Sequence, residues 1–205
     1  KSYFARATRR YDVIVSEPSN PWVSGVASLF TREFYARVRG QLADRGVLVQ
    51  WLHTYSFNDV LVASVLRAMR ESFPSFAVYD ANGGDLVVVA SPAASLPPLS
   101  PDVFRLGRLP QYLSRIEVRR PEDLAVRRVA DQDIVRGLFA TIQVAPNSDY
   151  FPIVGTGAGK ARFLNEEAHG ITDMGVAPWP ILAMAARAPL PPAYPLTVAA
   201  WPSAQ

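Results

Sequence analysis

The sequence predicts an α/β fold: a mostly parallel sheet that ends in an antiparallel hairpin, followed by a helical carboxy-terminal extension. Three observations predict it. Apolar, β-branched runs of strand length alternate with helical periodicity through the first 90 residues. A tight turn, Asn82-Gly-Gly84, then joins two further strand signals, which must therefore be antiparallel. Beyond Ser91 the chain becomes proline-rich and then helical.

Taken in order, Tyr11-Asp-Val-Ile-Val-Ser16 has the pattern of a buried parallel strand. Residues 17–25 form a loop rich in Pro, Ser and Asn. Thr31 can cap a helix over Arg32–Ala43, with Phe34, Tyr35, Val38 and Leu42 on one face and Asp44-Arg-Gly46 as its end. Val47–Leu52 reads as a second buried strand. Asn58 can cap a helix running to Ser72, with Val62, Val65, Leu66 and Met69 inward. Phe76–Tyr79 and Leu86–Ala90 are the hairpin strands. This finish is what the second half of a methyltransferase-type Rossmann fold looks like, and residues 1–91 are read as that partial domain. Residues 92–101 read as a linker. Residues 102–170 read as a mainly helical extension, with Asp131 as a cap, a loop at 146–160 and a short helix at Ala161–His169. Residues 171–205 read as a Pro/Ala-rich, weakly ordered tail.

Composition narrows the function. The 205 residues, 49% hydrophobic, suffice for one core and a small appended region. Net charge is +3. The arginine-rich stretch from Arg105 to Arg128 has no aromatic interleaving of the kind that stacks bases, so it reads as a solvated surface, and nucleic acid is not expected. Cysteine is absent, which removes disulfides, thiolate nucleophiles and Cys-based metal sites. With only His53 and His169 present, a metal site is not expected. No run of about eighteen uncharged apolar residues is present to span a membrane, and no signal peptide is recognised. The reading is cytoplasmic. The chain opens on Lys1, and no Gly-rich turn of the dinucleotide or adenosyl type precedes Tyr11; both suggest a piece that lacks its nucleotide-gripping half. The one glycine cluster, Gly155-Thr-Gly-Ala-Gly159, reads as a flexible loop, with a phosphate loop as the less favoured alternative.

Open parallel sheets bind ligands beyond the carboxyl ends of their strands. Two loops bring polar groups there: Ser16-Glu-Pro-Ser-Asn-Pro-Trp-Val-Ser-Gly25 and Gln50-Trp-Leu-His-Thr-Tyr55. Glu17, at the end of a buried strand, would be partly desolvated and so suited to act as a base. Its plainer reading is an acceptor of backbone N–H bonds. Asn20 offers a donor and an acceptor. Trp22 offers an apolar or cation-stacking wall. Gln50 reads as an anchor of the strand end, and His53 as either a proton relay or a packed histidine. Asp149 reads as an acceptor-side group or a turn cap.

At these residues the sequence resembles a known family. Tyr11-Asp-Val-Ile-Val-Ser-Glu-Pro-Ser-Asn-Pro-Trp22, Ser28-Leu-Phe-Thr-Arg-Glu-Phe-Tyr35 and Gly46-Val-Leu-Val-Gln50 resemble the polyamine aminopropyltransferases, which include spermidine synthase. The wording Glu-Pro-Ser-Asn-Pro-Trp and Gln-Trp-Leu-His is most similar to a bacterial branch often fused to a transporter-like membrane segment. Asn147-Ser-Asp-Tyr-Phe-Pro152 resembles the late motif of that branch.

The resemblance implies aminopropyl transfer from decarboxylated S-adenosylmethionine to a small amine acceptor, with no metal and no tightly bound cofactor. It makes Glu17 the catalytic base and sets Glu17, Pro18 and Ser19 against the nucleotide co-substrate. Asn20, Trp22, Gln50, His53, Tyr55 and Asp149 fall on the acceptor side. It also brings into view a membrane-embedded segment in the intact parent; the strand at Tyr11–Ser16, left as an uncovered edge of a truncated sheet, separately predicts a poorly soluble chain or a homodimer. Two positions depart from the family loop Asp-Ser-Ser-Asp-Pro. Glu17 is one methylene longer than the usual Asp, a displacement of about an ångström that can cost about a hundredfold in rate. Asn20 lacks the charge that would attract a diammonium. The acceptor is therefore left open. So are two alternatives: a non-catalytic binding or regulatory domain, and a methyltransferase using S-adenosylmethionine, since the loop also loosely resembles the Asn/Asp-Pro-Pro-aromatic loop of amino-methyltransferases.

Overall fold

The computed structural model describes residues 9–81 and 84–175, with five strands and seven α-helices among them. Asn82, Gly83 and the expected tail from residue 176 onward lie outside the described residues. The strands are β1 (Tyr11–Ser16), β2 (Leu42–His53), β3 (Ser75–Asp80), β4 (Asp85–Ser91) and β5 (Arg128–Asp131), ordered β1-β2-β4-β3-β5 in one sheet. Only β1 and β2 pair in parallel; the other three pairings are antiparallel. The expected mostly parallel sheet is therefore a mixed one. The cause is the hairpin, which folds β4 back between β2 and β3. Those two strands still run in one direction, but they are not neighbours.

The side chains that alternate along the strands set two unlike faces. On β2, Leu48, Gln50 and Leu52 are buried, while Val47, Val49 and Trp51 are half-buried; on β4, Leu86, Val88 and Ala90 are buried and Val87 and Val89 half-buried. β1 is an edge strand whose Val13 and Val15 are 54% and 67% exposed. Of Tyr11–Ser16, which has the pattern of a buried strand, only Ile14 and Ser16 are buried.

Helix α1 (Arg32–Gln41) starts where expected: the Thr31 side chain accepts from the Phe34 N–H at 3.3 Å, and Phe34, Tyr35 and Val38 face inward. It ends before Ala43 because Leu42 already pairs with Tyr11. The register then jumps, Val13 facing Val47, so residues 43–46 bulge. Gly46 permits this: a Cβ there would lie 2.8 Å from the Tyr11 carbonyl oxygen. Helix α2 (Asp59–Arg70) is capped by Asn58, whose side chain accepts from the Leu61 N–H at 3.0 Å. Its length is buried almost throughout, from Leu61 to Met69.

Between Pro101 and Ala125 the extension holds only a 3-10 turn (Pro101–Arg105) and the short helices α3 (Leu109–Arg115) and α4 (Pro121–Ala125), none with a buried residue. The extension, read as mainly helical, also carries a strand, β5, which adds to β3. Asp131 ends β5 and caps α5 (Gln132–Thr141), accepting from the N–H groups of Asp133 and Ile134, both at 3.0 Å. The glycine cluster is not a loop but lies within α6 (Ile153–Phe163). Its small residues allow close packing on α2: a Cβ at Gly157 would come 2.7 Å from Leu61 Cδ2. The helix stops at Phe163 rather than running to His169, and α7 (Gly170–Gly175) follows. One cluster of buried apolar residues joins β1, α1 and α2 with Val129, Leu138, Val154 and Ala158 of the extension. Among the described residues, no helix is long and apolar enough to cross a membrane.

Candidate functional site

The carboxyl ends of β1 and β2 lie side by side, Ser16 opposite Gln50. Gln50 is fully buried, and its Nε2 donates to the carbonyls of Ser16 at 3.2 Å and of Trp51 at 2.9 Å. It anchors the strand end, as the sequence suggests, while its Oε1 has no partner. The loop that leaves β1 turns tightly: the Val23 N–H donates to the Asn20 carbonyl at 3.0 Å, and Gly25 takes a φ of +84° that favours glycine. Pro18 and Pro21 are buried beneath it.

That turn lays Trp22 edge-on against His53, ring centroids 5.5 Å apart at 70°. The Arg162 guanidinium of α6 sits 4.8 Å from the Trp22 ring centroid, a cation–π distance. His53 is fully buried in an aromatic box. Tyr55 stacks on it at 4.6 Å, Trp51 lies at 5.2 Å and Phe57 meets it edge-on at 5.3 Å. Burial pushes the imidazole down to about 4. Neither of its ring nitrogens has a hydrogen-bond partner. Across the ladder, His53 stands directly opposite Asp85 of β4, whose Oδ1 is also buried without a partner. Sequence reasoning missed Asp85, because its role depends on the β2–β4 register, which no local motif announces.

The structure thus gathers Trp22, His53 and Tyr55, with Gln50 beside them but turned to the opposite, helix-covered face of β2 by strand alternation. Glu17 and Ser19 are exposed and Asn20 is half-buried. Glu17 is thus exposed where the sequence predicts partial burial, since among the described strands β1 has a neighbour on one side only. Asp149 stands elsewhere, at the start of α1: its Oδ1 accepts from the Thr31 hydroxyl at 3.0 Å, and its N–H donates to Glu33 Oε2 at 2.9 Å. Desolvation pushes the Glu33 carboxyl up, but the Asp149 N–H, its own N–H and Arg32 outweigh it and hold the group below its usual value.

Asn147, also unflagged as a functional residue, is a fully buried hub. Its Nδ2 donates to the Phe30 carbonyl at 3.0 Å, and its Oδ1 accepts from the Val154 N–H at 3.1 Å. Its own N–H donates to the Ser64 carbonyl and its carbonyl accepts from the Arg32 N–H. Among the described residues no three His, Asp or Glu side chains group closely enough to hold a metal ion. A cleft of about 520 Å³ opens at the opposite end of β1 and β2, between Arg10, Arg39, Leu42 and Asp44, away from all of these groups.

Fold and site together define an α/β protein with a mixed five-stranded sheet, whose polar and aromatic side chains gather beyond the ends of two adjacent parallel strands, the usual ligand position of open α/β sheets. Comparison with known proteins then shows similarity to polyamine aminopropyltransferases. The enzyme of that name from Bacillus subtilis is 32% identical over 80 residues, 39% of this chain and 29% of the relative. That from Pyrobaculum calidifontis is 34% identical over 76 residues, 37% of this chain and 26% of the relative. That from Shouchella clausii is 32% identical over 80 residues. The chain spans less than a third of the length of these relatives. No protein-family model matches it.

Proposed function

We propose that this chain is the second half of a methyltransferase-type Rossmann fold and carries the acceptor side of an alkyl-transfer site of the spermidine synthase type. The contact between Trp22 and His53 carries the reading: it draws the loop after β1 onto the end of β2, so that the two segments resembling the family make one surface. Similarity to three polyamine aminopropyltransferases over about 80 residues supports it.

The donor is a sulfonium nucleotide, decarboxylated S-adenosylmethionine. The acceptor is a small amine. The amine nitrogen attacks the carbon beside the sulfonium, the C–S bond breaks, and its electron pair stays on sulfur as a neutral thioether. Glu17 takes the proton that the new ammonium sheds. Trp22 supplies an aromatic face for the cationic acceptor, a role Arg162 now fills from within the chain.

The test is transfer by the protein in its natural full length, with each sulfonium donor offered to a panel of monoamines and diamines and the alkylated amine and thioether measured by mass spectrometry. Aminopropyl product with decarboxylated S-adenosylmethionine, and its loss in Glu17→Gln, is the expected result. Methyl product with S-adenosylmethionine would replace the reading by methyl transfer. The exposure of Glu17 favours a second reading, a binding domain without chemistry. Amine binding by calorimetry with no product from either donor would establish it.

A further inference from the structure

Four features at the end of β2 fit together. His53 and Asp85 are direct partners in an antiparallel ladder, so their side chains leave the same face of the sheet. Opposed Cβ atoms in such a pair are about 4.5–5.5 Å apart, within reach of a carboxylate and an imidazole through rotation about their side-chain bonds. Both ring nitrogens of His53 and Oδ1 of Asp85 are buried and unpartnered. Buried polar atoms without partners are rare and costly, and each calls for an explanation. The surroundings offer little else: Trp22, Trp51, Tyr55 and Phe57 enclose the imidazole. Tyr55 touches His53 and lies near the start of β4. Its ring stacks on His53, and its Cδ1 is 3.9 Å from where a Cβ on Gly84, the residue before Asp85, would lie.

We infer that His53 and Asp85 form a hydrogen-bonded dyad across β2 and β4, in which Asp85 is a positioning residue that fixes the imidazole tautomer and makes His53 a proton acceptor. Nδ1–H donates to the Asp85 carboxylate, and the Nε2 lone pair is left free. A proton taken at Nε2 gives an imidazolium held by the carboxylate, with no other bond made or broken, and it is later released to water. The dyad itself does not depend on the alkyl-transfer reading. Its use does: there, His53 is a further proton acceptor beside the Trp22 wall, and Glu17 remains the base that takes the amine's proton. Titratable or charged groups near the ring include the Tyr55 phenol that stacks on it, Glu167, whose backbone is bridged to that of Tyr55, and Arg162 of α6, which lies over Trp22.

The experiment is a nuclear magnetic resonance titration of the two imidazoles, with His169→Gln assigning the signals, since His53 and His169 are the two histidines of the chain. Burial alone places His53 at about 4. A dyad raises it toward or above its ordinary 6.5, and Asp85→Asn then lowers it by about a unit or more. Asp85→Glu, which keeps the carboxylate, retains part of the rise. Titration near 4 in the unaltered chain overturns the dyad whether or not Asp85→Asn folds, and so does a raised value that Asp85→Asn leaves unmoved. Failure of amine alkylation with the dyad signature intact counts against the transfer reading alone.

Discussion

Replacing Asn147 by alanine isolates the contribution of the hub that ties the late loop to the start of α1 and α6. The side chain makes two well-formed bonds, Nδ2 to the Phe30 carbonyl at 3.0 Å and Oδ1 from the Val154 N–H at 3.1 Å, plus a long contact to the Ala27 carbonyl at 3.5 Å. Helix α6 has Pro152 at its N-cap with no side-chain cap of its own, so Asn147 serves as a cap from outside the helix. Losing a cap costs about 1 kcal/mol. Stranding the buried Phe30 carbonyl adds about 1–3 kcal/mol. The expected loss is therefore about 2–4 kcal/mol, and at about 2–4 °C per kcal/mol for a chain of this size the melting temperature falls by roughly 4–16 °C. Urea unfolding followed by circular dichroism measures it, and an unchanged m-value shows that the native state has not loosened. Asn147→Asp keeps the acceptor for Val154 but turns an oxygen toward the Phe30 carbonyl, and should lose as much. A change in Asn147→Ala below about 0.5 kcal/mol, the range of ordinary surface substitutions, would refute the hub.

Other outcomes follow from single groups. The Tyr35 hydroxyl is buried without a partner, so Tyr35→Phe should keep full stability or gain up to about 1 kcal/mol. Burial pushes the Tyr35 phenol far above its ordinary 10; the raised group favours the folded state below pH 10, and that contribution is lost as pH climbs past it. Denaturant melts at rising alkaline pH should show Tyr35→Phe losing less than the unaltered chain. Gly46→Ala drives a Cβ against the Tyr11 carbonyl at 2.8 Å, and a cost of about 1–3 kcal/mol should appear in thermal melts; a neutral effect would mean that the β1–β2 bulge is not as described. The β1 edge, with Val13 and Val15 exposed, should make the chain poorly soluble or dimeric. Light scattering should then show Val13→Lys with Val15→Lys reducing association, and a monodisperse monomer without those changes would contradict the edge argument.

Much of the architecture was legible because its signals are local. Thr31, Asn58 and Asp131 announce three helix starts by side-chain capping, and each accepts the expected backbone N–H. The β3–β4 hairpin followed from Asn82-Gly-Gly84, although its placement beside β2 did not. β5 escaped notice because Arg128-Val-Ala-Asp131 has two buried residues between two charged ones, too short a run to show a period. The glycines of α6 read as a loop because glycine is a weak helix former; contact with Leu61, which only a small residue permits, overrides that preference. In the site, Gln50 could be recognised as a strand anchor from its position alone. Glu17 could not be judged from its neighbours, since the exposure of a strand-end residue depends on whether its strand is an edge, which is a property of the whole sheet.

The two edges of that sheet are unlike. β5 is four residues long, begins at Arg128 and ends at the helix-capping Asp131, whose carboxylate also pairs with Arg128 at 2.6 Å. A short, charged edge of this kind offers little to an incoming strand. β1 is longer and carries exposed valines. Among the described residues, strand addition can therefore proceed at one side only. Two copies joined edge to edge through β1 would, among the described residues, use the longer edge of each and leave the short, charged β5 edges outward, an arrangement that closes at a two-fold pair instead of growing into a filament.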